Sequence, residues 1–141
     1  MHKYETKVIW SEGRFGELSA NETEMKCSPP INFRGYSKTM TPEHAFVASA
    51  EICILMTFLT MAEKNGVGLV SYESETEGML EKMEKGYEFT KIIIRPKVRV
   101  KVEEDINKAK EAMVRAKKYA LVLNSMKTEV VVEPNFETTN C

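Results

Sequence analysis

Three thiols in this chain could do nucleophilic or redox chemistry: Cys27, Cys53 and Cys141. The thiolate is the reactive form, so a working cysteine needs a cation close by and a path for its substrate. An odd count at wide spacings argues against a disulfide framework. No pair has zinc-site spacing, and His2 and His44 cannot complete such a site. Cys53 lies in a long apolar run, where a cysteine is often just a small core residue. Glu51 is its nearest acid in sequence, but two helical residues rotate it about 200° away. It therefore points away from the thiol and reads as a partly exposed or paired carboxylate.

The element that must hold Cys53 is clear. Thr41 is a good N-cap, Pro42 suits a first helical turn, and Glu43 suits the positive end of the dipole. Asn65 and Gly66 end the helix, giving Thr41 to Lys64. Between them Phe46, Ala50, Ile52, Ile54, Leu55, Met56, Phe58, Leu59 and Met61 leave almost no polar face. A helix apolar nearly all round is enclosed by other elements. A chain of 141 residues supplies little cover, which points to a second copy.

Residues 3–10 alternate and read as a strand. Gly13 and Gly16 punctuate a turn around Arg14, and residues 17–27 hold two short strands turning at Ala20 and Asn21. Residues 28–40, with Pro29, Pro30 and Gly35, read as an ordered loop. Residues 67–83 and 87–102 form a long hairpin turning at Lys85 and Gly86; Pro96 inside it requires a bulge or an edge. Ile106, Ala109, Met113, Ala116, Ala120 and Leu123 make a one-sided stripe on a second helix from Glu103 to about Met126. Residues 128–133 form a last strand ended by Pro134, and a polar tail runs to Cys141. The order predicts one α+β domain over residues 1–141 with an antiparallel sheet.

Twenty basic and 21 acidic residues give a net charge of −1, which excludes a broad nucleic-acid-binding surface. The charge-free run Ile52 to Ala62 is too short to span a bilayer, so no membrane is expected. The first residues, MHKYETKVIW, lack a signal-peptide pattern, and a cytoplasmic protein is expected.

The stretch TPEHAFVASAEIC (41–53), the hairpin strand FTKIIIRPKVRV and the segment AKKYALVLNSMKTEVVVE (116–133) resemble, in order and spacing, the OsmC/Ohr family. These are the osmotically inducible and organic hydroperoxide resistance proteins. The resemblance covers roughly residues 41–133. It implies an OsmC-like fold in which antiparallel sheets wrap around central helices in an intertwined homodimer.

The resemblance also implies reduction of organic hydroperoxides by a cysteine pair, with no metal or organic cofactor. Cys53 matches the attacking cysteine and Glu43 the glutamate at the helix start. Arg14 is the better match for the arginine beside the thiolate, with Arg34 as its rival. The second cysteine of the pair is absent, because its place is taken by Ala120. An external thiol would then resolve the oxidised Cys53. Cys27 or Cys141 could do so if either came close, although neither matches a family position. Ten residues separate Glu43 from Cys53 by about 15 Å along a straight helix. If both act, Glu43 comes from the partner chain or reaches through an arginine. The alternative is a catalytically degenerate OsmC-like protein that binds an apolar small molecule in the dimer-interface cleft.

Overall fold

The computed structural model describes residues 1–139; Cys141 lies outside them. The chain divides into two compact units, Met1–Phe46 and one that begins at Val47. Each is described by itself.

The first unit is a three-stranded antiparallel sheet of β1 (Thr6–Trp10), β2 (Gly16–Ala20) and β3 (Thr23–Cys27), with β2 in the centre. Asn21 and Glu22 turn β2 into β3 with φ of 49° and 60°. Positive φ at both central residues suits the right-handed twist of a hairpin. The loop that follows contains a single 3-10 turn, Ile31–Phe33, capped by Arg34 at φ 65°. It returns to the sheet where Met40 bridges Cys27. Helix α1 (Pro42–Lys64) starts there.

In the second unit β4 (Leu69–Met83) and β5 (Gly86–Val100) form the expected long antiparallel hairpin. The remaining strands differ from expectation. β6 (Glu129–Val132) and β7 (Asn135–Thr138) both pair with β5 in parallel, so this sheet is mixed. The polar tail contributes β7, in which Phe136 gives the strand an apolar anchor. Pro96 sits at neither a bulge nor an outer edge. β6 pairs Lys91 to Ile94 and β7 pairs Lys97 to Val100, so Pro96 falls in the gap between them. Its missing N–H costs no ladder hydrogen bond there.

Ile92, Ile94, Pro96, Val98 and Val100 alternate along β5 and are fully buried. The same face continues on β4 as Tyr72, Ser74, Thr76 and Gly78, which stand opposite Val98, Pro96, Ile94 and Ile92. Helix α1 lies over this row. Val47 comes so close to Gly78 that a Cβ there would be 2.5 Å from its Cγ2. Ala50, Ile54 and Phe58 are fully buried. Burying a side chain like Phe58 contributes about 1.5–3 kcal/mol.

The other side of α1 is uncovered among the described residues. Ile52, Met56 and Leu59, at spacings of four and three, are 56%, 53% and 37% exposed. By length and composition α1 could cross a bilayer. Its buried face and the bond from Ser74 to Glu51 make it the central helix of this fold.

Helix α2 (Glu104–Tyr119) is shorter than expected. It breaks at Ala120, whose backbone is extended, and α3 (Leu121–Asn124) follows. Ala109, Met113, Ala116 and Ala120 of the stripe are buried as the periodicity requires.

Candidate functional site

The first unit contains a cavity of about 820 Å³. One wall is the β-sheet. Trp10, Gly16 and Cys27 stand in one cross-strand row, and Val8 and Leu18 in the next. Directly opposed residues share a face, and all five line the cavity. Arg14 enters from the β1–β2 turn. That turn is tight: Ser11 N–H donates to Phe15 O at 3.1 Å, and Phe15 N–H to Glu12 O at 2.9 Å. Trp10 Nε1 donates to Gly13 O at 2.9 Å. Phe15 stacks on Tyr36 at 4.0 Å, with Lys26 Nζ above it at 4.2 Å. These contacts fix the backbone that carries Arg14.

The opposite wall is the first turn of α1. Thr41, buried, caps it by accepting the His44 N–H at 2.9 Å and bonding His44 Nδ1 at 2.6 Å. His44 therefore completes the cap rather than standing free. The cap turns Glu43 into the cavity. Glu43 Oε1 is buried and has no hydrogen-bond partner among the described residues. A buried acceptor without a partner is costly in a carboxylate and marks a place where a donor is missing. Arg14 does not supply it, since no ion pair joins Arg14 to any acid among the described residues. The cavity thus holds a guanidinium and a carboxylate oxygen, both unpaired. Arg34 caps the 3-10 turn, is exposed, and is not among the lining residues.

Cys53 belongs to the second unit and does not line this cavity. It is half-buried on α1, one turn from the uncovered Met56. Its Sγ is 4.0 Å from Thr57 Oγ1, which already donates to the Cys53 carbonyl at 2.7 Å. Thr57 can therefore only accept from the thiol, and a thiolate has to find its donor elsewhere. Glu51 faces away as the helix angle requires. It accepts a 2.5 Å hydrogen bond from Ser74 Oγ. Burial, and secondarily the Glu51 charge, push the Tyr72 hydroxyl up to about 12. Tyr119 is 52% exposed, with Lys118 Nζ 5.4 Å from its ring.

The sequence brings Arg14 and Glu43 into view, and the structure places both on one cavity. Cys27, which lines the same cavity, carries no motif. Only the strand register shows that its side chain shares a face with Gly16 and Trp10.

A family model for OsmC-like proteins matches residues 35–135. The chain belongs to the OsmC/Ohr family. The uncharacterized protein YmaD of Bacillus subtilis is 21% identical over 137 residues, 94% of this chain and 91% of the relative. An OsmC-like protein of unknown function from Vibrio cholerae superposes with a TM-score of 0.87 at 23% identity, over 96% of this chain and all of that one. An organic hydroperoxide resistance protein OsmC from Legionella pneumophila superposes at 0.74 with 17% identity, over 97% and 98%. At these identities the superpositions show the OsmC-like α+β fold.

Proposed function

We propose that this OsmC-like protein reduces organic hydroperoxides and works as a homodimer in which the cavity of one protomer completes the Cys53 site of the other. The observation that carries this reading is the pairing of Arg14 and Glu43 on one cavity, each lacking a partner of its own. Cys53 needs a donor that its own helix does not offer. The uncovered stripe Ile52, Met56 and Leu59 beside it is the surface a second copy would bury.

The chemistry is as follows. Arg14 donates to the Cys53 thiolate and to the peroxide, while Glu43 holds the guanidinium in place. The thiolate sulfur attacks the terminal peroxide oxygen; an S–O bond forms and the O–O bond breaks. The alkoxide leaves, takes a proton and becomes an alcohol. Cys53 becomes a sulfenic acid. Ala120 has no thiol to resolve it, and an external thiol closes the cycle. The apolar cavity walls favour an organic over a hydrated peroxide.

The test is hydroperoxide consumption with a supplied thiol reductant. Cys53→Ser is expected to abolish it and Cys141→Ser to leave it intact. Wild-type turnover in the Cys53 variant would overturn the reading. The alanine at position 120 favours a second reading, a binder of apolar molecules without turnover. Cumene hydroperoxide bound but not consumed would support that one.

A further inference from the structure

Position 120 cannot resolve the oxidised Cys53, but the structure brings another thiol to the cavity that carries Arg14 and Glu43. We infer that Cys27 is the resolving thiol of this protein, acting across the dimer on the Cys53 sulfenic acid of the partner. This rests on the reading of Cys53 as the attacking thiol.

Two features of the strand place Cys27 there. It pairs with Gly16 in the β2–β3 register, and the face they share is the cavity wall. A Cβ at position 16 would stand 3.1 Å from the Cys27 Sγ, so the glycine leaves the sulfur room on that side. The backbone at Cys27 is also held firmly. It bridges Met40, with Ser28 N–H donating to Met40 O at 3.0 Å and Met40 N–H to Lys26 O at 2.9 Å. The same run leads directly into the helix turn that carries Glu43. Cys27 is half-buried and is not in a disulfide.

A second observation makes this more than a cysteine on a sheet. The cavity that Cys27 lines also contains the orphaned Glu43 Oε1 and the unpaired Arg14. A resolving step needs a group to take the thiol proton and a charge to favour the thiolate, and these two side chains supply them.

The step balances. Cys27, having lost its proton to Glu43, attacks the Cys53 sulfenic sulfur. The S–S bond forms, the S–O bond breaks, and hydroxide leaves with that proton as water. Over both steps the two thiols give up two electrons and two protons. The hydroperoxide is reduced to an alcohol and water, and an external dithiol then reduces the disulfide.

The experiment exposes the reduced full-length protein to one equivalent of cumene hydroperoxide. Non-reducing electrophoresis, disulfide mapping by mass and dimedone trapping of sulfenic acid follow. The expected product is a Cys27–Cys53 bond between chains, identified in a heterodimer of light and isotope-labelled protomers. In Cys27→Ser and in Cys27→Ala the cross-link is lost and dimedone traps Cys53 instead. That trapping also shows that these variants still fold and react. Cys141→Ser behaves as wild type. Dimedone-trapped Cys53 in the wild type without a bond to Cys27, or a bond from Cys53 to Cys141, overturns this inference and leaves the proposed function standing. An unoxidised Cys53 overturns the proposed function itself, and this inference with it.

Discussion

Cys27 stands directly across from Gly16 in the β2–β3 ladder, with its sulfur 3.1 Å from where a Gly16 Cβ would be. The thiol has its place on the cavity wall because its neighbour has no side chain. Gly16→Ala would also press on Val8 Cγ2 at 3.3 Å and on the Ile9 carbonyl at 3.4 Å. The expected cost is roughly 1–3 kcal/mol of stability, as for other overpacked sites. Urea denaturation measures it, and alkylation of Cys27 in the folded state should slow. An unchanged midpoint with faster alkylation would contradict this packing.

Arg14 and Glu43 are expected to matter for rate rather than folding. Arg14 is exposed and makes no ion pair among the described residues, so Arg14→Ala should leave the melting temperature nearly unchanged. It should lower kcat/KM for cumene hydroperoxide about 10²–10³-fold, the usual cost of removing a charge-stabilising donor. Arg34→Ala, which is not part of the cavity lining, should be neutral. Stopped-flow kinetics on the two variants checks the assignment, and equal losses would refute it.

The uncovered stripe on α1 predicts the assembly. Sedimentation equilibrium of the wild type should report twice the chain mass of 16.1 kDa. Met56→Glu places a charge in the middle of that stripe and should shift the species toward monomer. Because a charge cannot be buried unpaired without a large penalty, a dimer of undiminished affinity in this variant would locate the interface elsewhere.

Tyr72 gives a pH signature. Its hydroxyl is buried without a hydrogen-bond partner, and its pKa rises from the usual 10.0 to about 12 through burial first and the Glu51 charge second. Above the ordinary value the unfolded chain loses this proton while the folded chain keeps it. Stability is therefore undiminished by this group below about pH 10 and falls as pH rises toward 12. Tyr72→Phe removes an unsatisfied polar group of nearly the same shape. It should be at least as stable at pH 7 and should flatten the alkaline limb. Thermal melts from pH 8 to 12, at steps of about one unit, follow both effects.

Ala120 is fully buried at the break between α2 and α3. In a Cys27→Ser background, Ala120→Cys is expected to form an intrachain disulfide with Cys53 under peroxide. Such a bond needs Cα atoms about 4.4–6.8 Å apart. Mass mapping that finds a folded variant but no such bond under peroxide or diamide would show that position 120 does not face Cys53.

The sequence by itself determined the helix that carries Cys53, because Thr41, Pro42, Glu43 and Gly66 are local signals whose physics acts within one turn. It likewise determined the β4–β5 hairpin and the buried alanine stripe, since period and turn chemistry act along the chain. The mixed sheet was not legible. Whether β6 and β7 join β5 in parallel is decided by where a connection returns in space, and the four-residue β7 has too little pattern to announce itself. The break at Ala120 was hidden because alanine is an excellent helix former and only tertiary packing stops the helix there. Arg14 and Glu43 could be nominated from the sequence but not joined, being 29 positions apart. Cys27 could be named as a thiol but not placed on the cavity wall. Its meaning depends on a cross-strand register and an open flank at Gly16, and both come into being only when distant segments pack.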